Sequence, residues 1–252
     1  MEKKQAFTLA EVLITLGIIG VVAAITLPLL VQNYQKIVLK NQYKKMYSQF
    51  INAVKLAQVK NEAPISCYYW DKPVSGAICV EYNEYGNCKK WTMSDGSSVP
   101  SDYNGAFGDC TKFYNNFFGN VLKVSKYCPR DALANGCITE NYKGIDKVKT
   151  EKDPNVQEDP SQMFSDSKMK NTCPSWLLAD GTLVMLYAIS GRPIFLFDIN
   201  GHKRPNKWGY DLFTFELKGS LNDGITRLVP INYYYEEGGF SSTTMLFNAF
   251  NK

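Results

Sequence analysis

The chain has 252 residues, of which 45% are hydrophobic, and a formal charge of +4. That is enough for one large domain or two small ones with a packed core, and the charge is too small for this size to point to nucleic acid. With one histidine, His202, and no G-x-S-x-G or phosphate-loop pattern, His-based metal sites, Ser–His or Cys–His catalysis and nucleotide chemistry are all disfavoured.

The chain opens MEKKQAFTLAEVLITLGIIGVVAAITLPLL. From Phe7 to Val31 it runs 25 residues with a single charge, Glu11. A helix needs about 20 apolar residues to cross a bilayer, so the run is long enough. Lys3 and Lys4 precede it, which puts the short leading side in the cytoplasm by the positive-inside rule and the rest across the membrane. The cysteines would then lie in an oxidising compartment. A plain signal anchor, a secretory signal peptide ending near Val22-Ala23-Ala24 and a buried core helix are the competing readings. The apolar run is too long for a core helix, and neither the anchor nor the signal peptide explains Glu11, because an ionised carboxylate in the bilayer costs about 2.5–3.5 kcal/mol on insertion scales.

QAFTLAEVLITLGIIGVVAAITLP resembles the signal of type IV prepilins and type II secretion pseudopilins: a short basic leader, a small residue, Phe, a few apolar or hydroxylated residues, then Glu. The resemblance covers about the first 35 residues. It implies a leader of residues 1–6, cleavage between Ala6 and Phe7 by the prepilin peptidase, and N-methylation of Phe7. Ala6 departs from the usual glycine before the cut. Pro28 falls where the family's helix commonly bends. Glu11 lies about one helical turn after Phe7. In a bundle of parallel helices it can pair with the Phe7 ammonium of a neighbour, which would satisfy a buried charge, and it suits the positive end of the helix dipole. Gly17, Gly20, Ala23 and Ala24 are small; Gly20 and Ala24 have the spacing that lets membrane helices approach closely.

Residues 32–60 continue as an amphipathic helix, with Tyr43, Tyr47, Phe50, Ile51 and Val54 at three- and four-residue steps. Lys40, Lys44, Lys45, Lys55 and Lys60 take mainly the other faces. The stripe predicts packing on a sheet, and Pro28 predicts a kink. Asn61 to Pro64 close the helix. Residues 61–252 form the head. Its hairpin signals are Asp95-Gly96 after Trp91-Thr92-Met93, and Asp180-Gly181 between Trp176-Leu177-Leu178 and Leu183–Tyr187. Ile194–Ile199 and Leu212–Leu217 read as further strands. The expected fold is α+β: a long helix packed on a C-terminal antiparallel sheet of four or more strands, mostly after residue 175, which is also what the pilin resemblance implies. The segment 142–171 is polar, charged and contains two prolines, and reads as a long surface loop or partly disordered insertion.

Cys67, Cys79, Cys88, Cys110, Cys128 and Cys137 are clustered, and Cys173 stands apart. With no C-x-x-C pair, disulfides are a better reading than zinc or redox chemistry; all seven are candidates, the pairing is open, and one thiol must be left over. In FDINGHKRPNKWGYDLF, the oxygen-bearing Asp198, Asn200, Asn206 and Asp211 sit in one turn, the ligand type that Ca²⁺ takes. Some pseudopilins bind Ca²⁺ in a loop near their C-terminal strands, and this segment is similar in kind but not in spacing. Lys203, Arg204 and Lys207 oppose a cation there, and Asx turns alone explain the Asp and Asn residues. His202 reads as an exposed loop residue.

The resemblance implies a filament subunit that is not an enzyme and needs no cofactor. Its partners would be other pilin or pseudopilin subunits, the prepilin peptidase and an inner-membrane assembly platform. It would be a single-pass inner-membrane protein with a cytoplasmic N-terminus, extracted into a filament. A type II secretion pseudopilin is the leading expectation and a minor type IV pilin the alternative. A membrane-anchored extracytoplasmic binding protein or hydrolase is a second alternative, since carboxylate-only catalysis leaves no sequence mark.

Overall fold

The computed structural model describes residues 8–61, 77–82, 88–99, 115–189, 192–219 and 226–251. One helix, α1, runs from Leu9 to Asn61. Its 53 residues make it about 80 Å long at 1.5 Å per residue. Pro28 lies inside it and the helix is assigned without a break on either side. The missing N–H of Pro28 leaves the Ala24 carbonyl without its helical donor.

The head holds two sheets. β1 (Ala77–Tyr82) and β2 (Cys88–Met93) pair antiparallel as a ribbon. Asp95-Gly96 does form a turn, with Gly96 at φ +82°. The described pairing of β2, however, is back to β1 and not forward across that turn. The main sheet has six antiparallel strands in sequential order: β3 (Val124–Cys128), β4 (Ser175–Leu178), β5 (Leu183–Ile189), β6 (Arg192–Asp198), β7 (Leu212–Gly219) and β8 (Thr226–Ile231). The expected α+β layout is therefore present. Asp180-Gly181 joins β4 to β5, with Leu177 opposite Leu183.

Both faces of this sheet are buried, which explains apolar runs such as Ile194-Phe195-Leu196-Phe197 that do not alternate with polar residues. Phe195, Phe197, Phe213 and Phe215 point to α1 and meet Tyr43, Phe50 and Val54. Ile194, Leu196, Leu183 and Met185 point the other way. Along α1 the buried stripe also includes Leu39, Met46, Ala53 and Ala57, while Tyr47 and Ile51 are partly buried. Phe50 is the centre of the aromatic contacts, with ring centroids 4.6 Å from Phe197 and 4.8 Å from Phe117. Tyr43 donates its hydroxyl hydrogen to the Ser242 carbonyl at 2.8 Å and so ties α1 to α3 (Ser242–Phe250).

The second face is covered by the segment expected to be a surface loop, which the structure corrects. Residues 142–171 contain α2 (Ile145–Lys152) and lead into a π-helical turn, Lys168–Thr172. Tyr142, Ile145, Phe164 and Met169 are buried against the sheet. The chain closes on itself tightly here: a Cβ at Gly144 would lie 1.9 Å from the Asp166 nitrogen. The exposed charges of residues 151–160 mask a sparse set of apolar anchors.

Candidate functional site

Three features carry the functional argument: the apolar half of α1, the cysteines and the loop between β6 and β7. Ala6 and Phe7 lie outside the described residues. From Leu9 to Val31 the described side chains are exposed, with Ala23 alone half-buried. Among the described residues α1 is the one helix long and apolar enough to cross a membrane. Gly17 and Gly20 have open space where a Cβ would sit, so the small-residue surface is free for another helix.

Glu11 is held by its own chain. One carboxylate oxygen accepts from the Thr8 backbone N–H at 2.9 Å and from the Thr8 hydroxyl at 2.8 Å. The Glu11 N–H donates back to the Thr8 hydroxyl oxygen at 3.3 Å. This is a capping box, Thr8 at the cap and Glu11 three residues on. It satisfies one oxygen of Glu11 and leaves the rest of the carboxylate facing outward. The T-x-x-E spacing in Thr8-Leu9-Ala10-Glu11 was the sequence signal for it.

Among the cysteines, Cys128 and Cys137 form a disulfide that closes a loop of sequence separation 9, worth about 2.5 kcal/mol by the loop-entropy account. Cys79 is also disulfide-bonded. Cys67 and Cys110 lie outside the described residues. Cys173 is a free thiol, buried in the same core cluster as Cys128 and Cys137, and so is a cysteine left over from pairing. Burial pushes the Cys173 thiol up to about 12, which keeps it protonated and unreactive.

The loop residues named from the sequence do converge. Asp198 ends β6 and Asp211 precedes β7, and both are fully buried. Asp198 accepts from the backbone N–H of Asn200 at 3.0 Å and of Gly201 at 2.8 Å, and from the Tyr142 hydroxyl. Asp211 accepts from the N–H of Asn206 at 2.7 Å and of Lys207 at 2.6 Å. Gly201, at φ +64°, packs so closely that a Cβ would lie 2.0 Å from the Gly181 carbonyl oxygen. The Asn206 amide nitrogen, turned inward, donates to the carbonyls of Gly201 at 3.0 Å and Lys203 at 2.7 Å and reaches Asp198 at 3.3 Å. The Asn200 side-chain oxygen is buried with no partner. Among the described residues neither aspartate forms an ion pair, and no cluster of three or more His, Cys, Asp or Glu is present.

Burial raises both carboxyls: Asp211 is pushed up to about 6, and Asp198 goes well above the usual range, with the Asp211 charge adding to the effect of burial. Tyr142, from the segment read as a loop, is a partner the sequence did not show, because it lies far away in the chain. His202 is exposed, as expected, and its ring donates to the Cys137 carbonyl at 2.8 Å.

No curated protein and no solved structure matches the chain. A family described as the prokaryotic N-terminal methylation motif matches residues 1–27, the segment that holds Ala6, Phe7 and Glu11. With the exposed apolar helix on an α+β head, that match fits a membrane-anchored, structural subunit that is processed by prepilin peptidase and assembles with other pilin subunits. The chain carries, at residues 1–27, the prepilin-type cleavage and methylation signal of type IV pilin-like and pseudopilin-like proteins.

Proposed function

We propose that the mature chain is a pseudopilin-like filament subunit acting in protein export through a type II secretion system. It would be stored in the bacterial inner membrane with its N-terminus in the cytoplasm and its head outside, then drawn into a helical bundle by an assembly platform. The observation that carries this reading is the exposed apolar half of α1, Leu9–Val31, whose one charge is Glu11. Such a surface is stable only in lipid or against other helices. Inside a bundle, Glu11 would exchange its outward face for the Phe7 ammonium of a neighbour. A deletion strain tests the system: secreted enzymes should accumulate in the periplasm and return on complementation. Intact secretion with loss of surface fibres would instead identify a minor type IV pilin.

A structural Ca²⁺ in the loop between β6 and β7 belongs to the same reading. The donor set is all oxygen, the chemistry of a hard cation, and the orphaned Asn200 oxygen fits it. Asp198, Asn200, Asn206 and Asp211 would hold the ion, which would neutralise two buried carboxylates. A cation-free chain has a defined pH dependence. The folded Asp211 carboxyl keeps a proton that the unfolded one releases, so its contribution is full below the ordinary value of 3.8 and is lost as pH rises through about 6. In chelator, the melting temperature of the parent should fall across that window relative to Asp211→Asn. Millimolar Ca²⁺ should restore the parent at pH 7 and leave the variant unmoved. A parent melt indifferent to Ca²⁺ at pH 7 rules the ion out.

A further inference from the structure

Beside the point where α1 leaves the head there is a groove of about 430 Å³ between α1, α3 and the loops that carry Gly209 and Gly238. Lys36, Ile37 and Lys40 supply one wall, and Tyr210, Phe240 and Phe247 supply much of the rest. Phe247 is 65% exposed and Ile37 58% exposed. α3 buries Ser242, Met245 and Ala249 inward, so its outer side presents Phe247 and Phe250, with the Lys44 ammonium 5.3 Å from the Phe250 ring. Two lysines and no carboxylate line the groove.

We propose that this groove docks onto the anionic phospholipid interface of the membrane that α1 spans, so that the head leans on the bilayer before assembly. This rests on the reading of α1 as a membrane helix. Two observations select lipid over other occupants. The first is depth: Lys36 lies five residues past Val31, about 8 Å along the helix, within the headgroup layer for a span that ends at Val31. Ile37 lines the groove, and Tyr34, three residues before it on α1, is exposed as well. The second is chemistry: aromatic rings among lysines form the pattern of side chains at a membrane–water boundary, and lysines near an anionic surface are drawn to it. The rings sit at the acyl boundary and Lys36 and Lys40 reach the phosphates.

The test uses the full chain reconstituted in phosphatidylcholine vesicles, with or without phosphatidylglycerol, carrying a nitroxide on the lipid headgroup. Phe247→Trp reports on the groove. Val59→Trp is the control, since Val59 is 74% exposed on the same helix and about 33 Å from Ile37 along it. The added indole at 247 should be quenched severalfold more than the one at 59. The difference should shrink without phosphatidylglycerol and in a Lys36→Glu/Lys40→Glu background. Equal quenching at the two positions overturns the proposal. So does shielding from the nitroxide that grows with the protein-to-lipid ratio, which would make a second copy the occupant. Alkaline carbonate extraction separates the two levels: release from the vesicles refutes the membrane helix itself, whereas retention with an unquenched indole refutes only the docking.

Discussion

Glu11→Val should insert in the membrane at least as well as the parent and enter filaments poorly. The parent pays about 2.5–3.5 kcal/mol to place a carboxylate in lipid, a cost eased by the Thr8 capping box, whose two hydrogen bonds hold one oxygen. Valine removes that cost and the cap together, so membrane levels should hold. Assembly is different. Breaking a buried ion pair by removing one partner leaves the other charge uncompensated and costs about 3–5 kcal/mol, here the Phe7 ammonium of a neighbouring subunit. At 1.4 kcal/mol per tenfold, incorporation should fall by about 100-fold or more. The ratio of sheared filament to membrane fraction by immunoblot reads it directly. Thr8→Ala is the informative companion: it removes the local clasp, worth about 1 kcal/mol as a helix cap, and keeps the charge, so its assembly defect should be much smaller. Normal incorporation of Glu11→Val would refute the pairing account.

The second large effect is expected at Phe50. Its ring meets Phe117, Phe195 and Phe197 edge-on, with centroids 4.6–5.5 Å away, and joins α1 to the sheet at the middle of the stripe. Phe→Ala at such a site costs about 3–5 kcal/mol from lost transfer energy and the cavity left behind. Edge-to-face pairs add about 0.5–1.5 kcal/mol each. Against a total stability of about 5–15 kcal/mol, Phe50→Ala should leave the head marginal while the membrane half of α1 still inserts. Denaturant unfolding of the full chain in detergent, followed by tryptophan fluorescence, should show the midpoint shift. A loss below about 1 kcal/mol would mean that α1 is not the lid of this core.

Those two positions were readable because each obeys a strong local rule. Glu11 violates the composition of its surroundings, and Phe50 sits on a three- and four-residue period that has one structural meaning. The strands after Trp176 were legible for the same reason, as short apolar runs bounded by Asp-Gly or polar turns. The rest failed where the signal is sparse or distant. Tyr142, Ile145, Phe164 and Met169 are separated by charged residues, so no period betrays that they cover the second face of the sheet. Ala53 and Ala57 in α1 are buried in the first core, which small side chains permit but do not announce. In the loop, residue type singled out Asp198, Asn200, Asn206 and Asp211, yet Tyr142, which donates to Asp198, comes from 56 residues before it. The pairing of Cys128 with Cys137 was one of many open arrangements, decided by where β3 ends. The T-x-x-E cap was plain in the sequence and was eclipsed by the more conspicuous charge.

The central claim is that this chain is made to be cut between Ala6 and Phe7. Mass spectrometry of the N-terminal peptide, from cells with and without the prepilin peptidase, tests it most directly. The account predicts a peptide beginning at N-methylated Phe7 when the peptidase is present and an uncut leader when it is absent. The same uncut, unmethylated leader in both strains would contradict it.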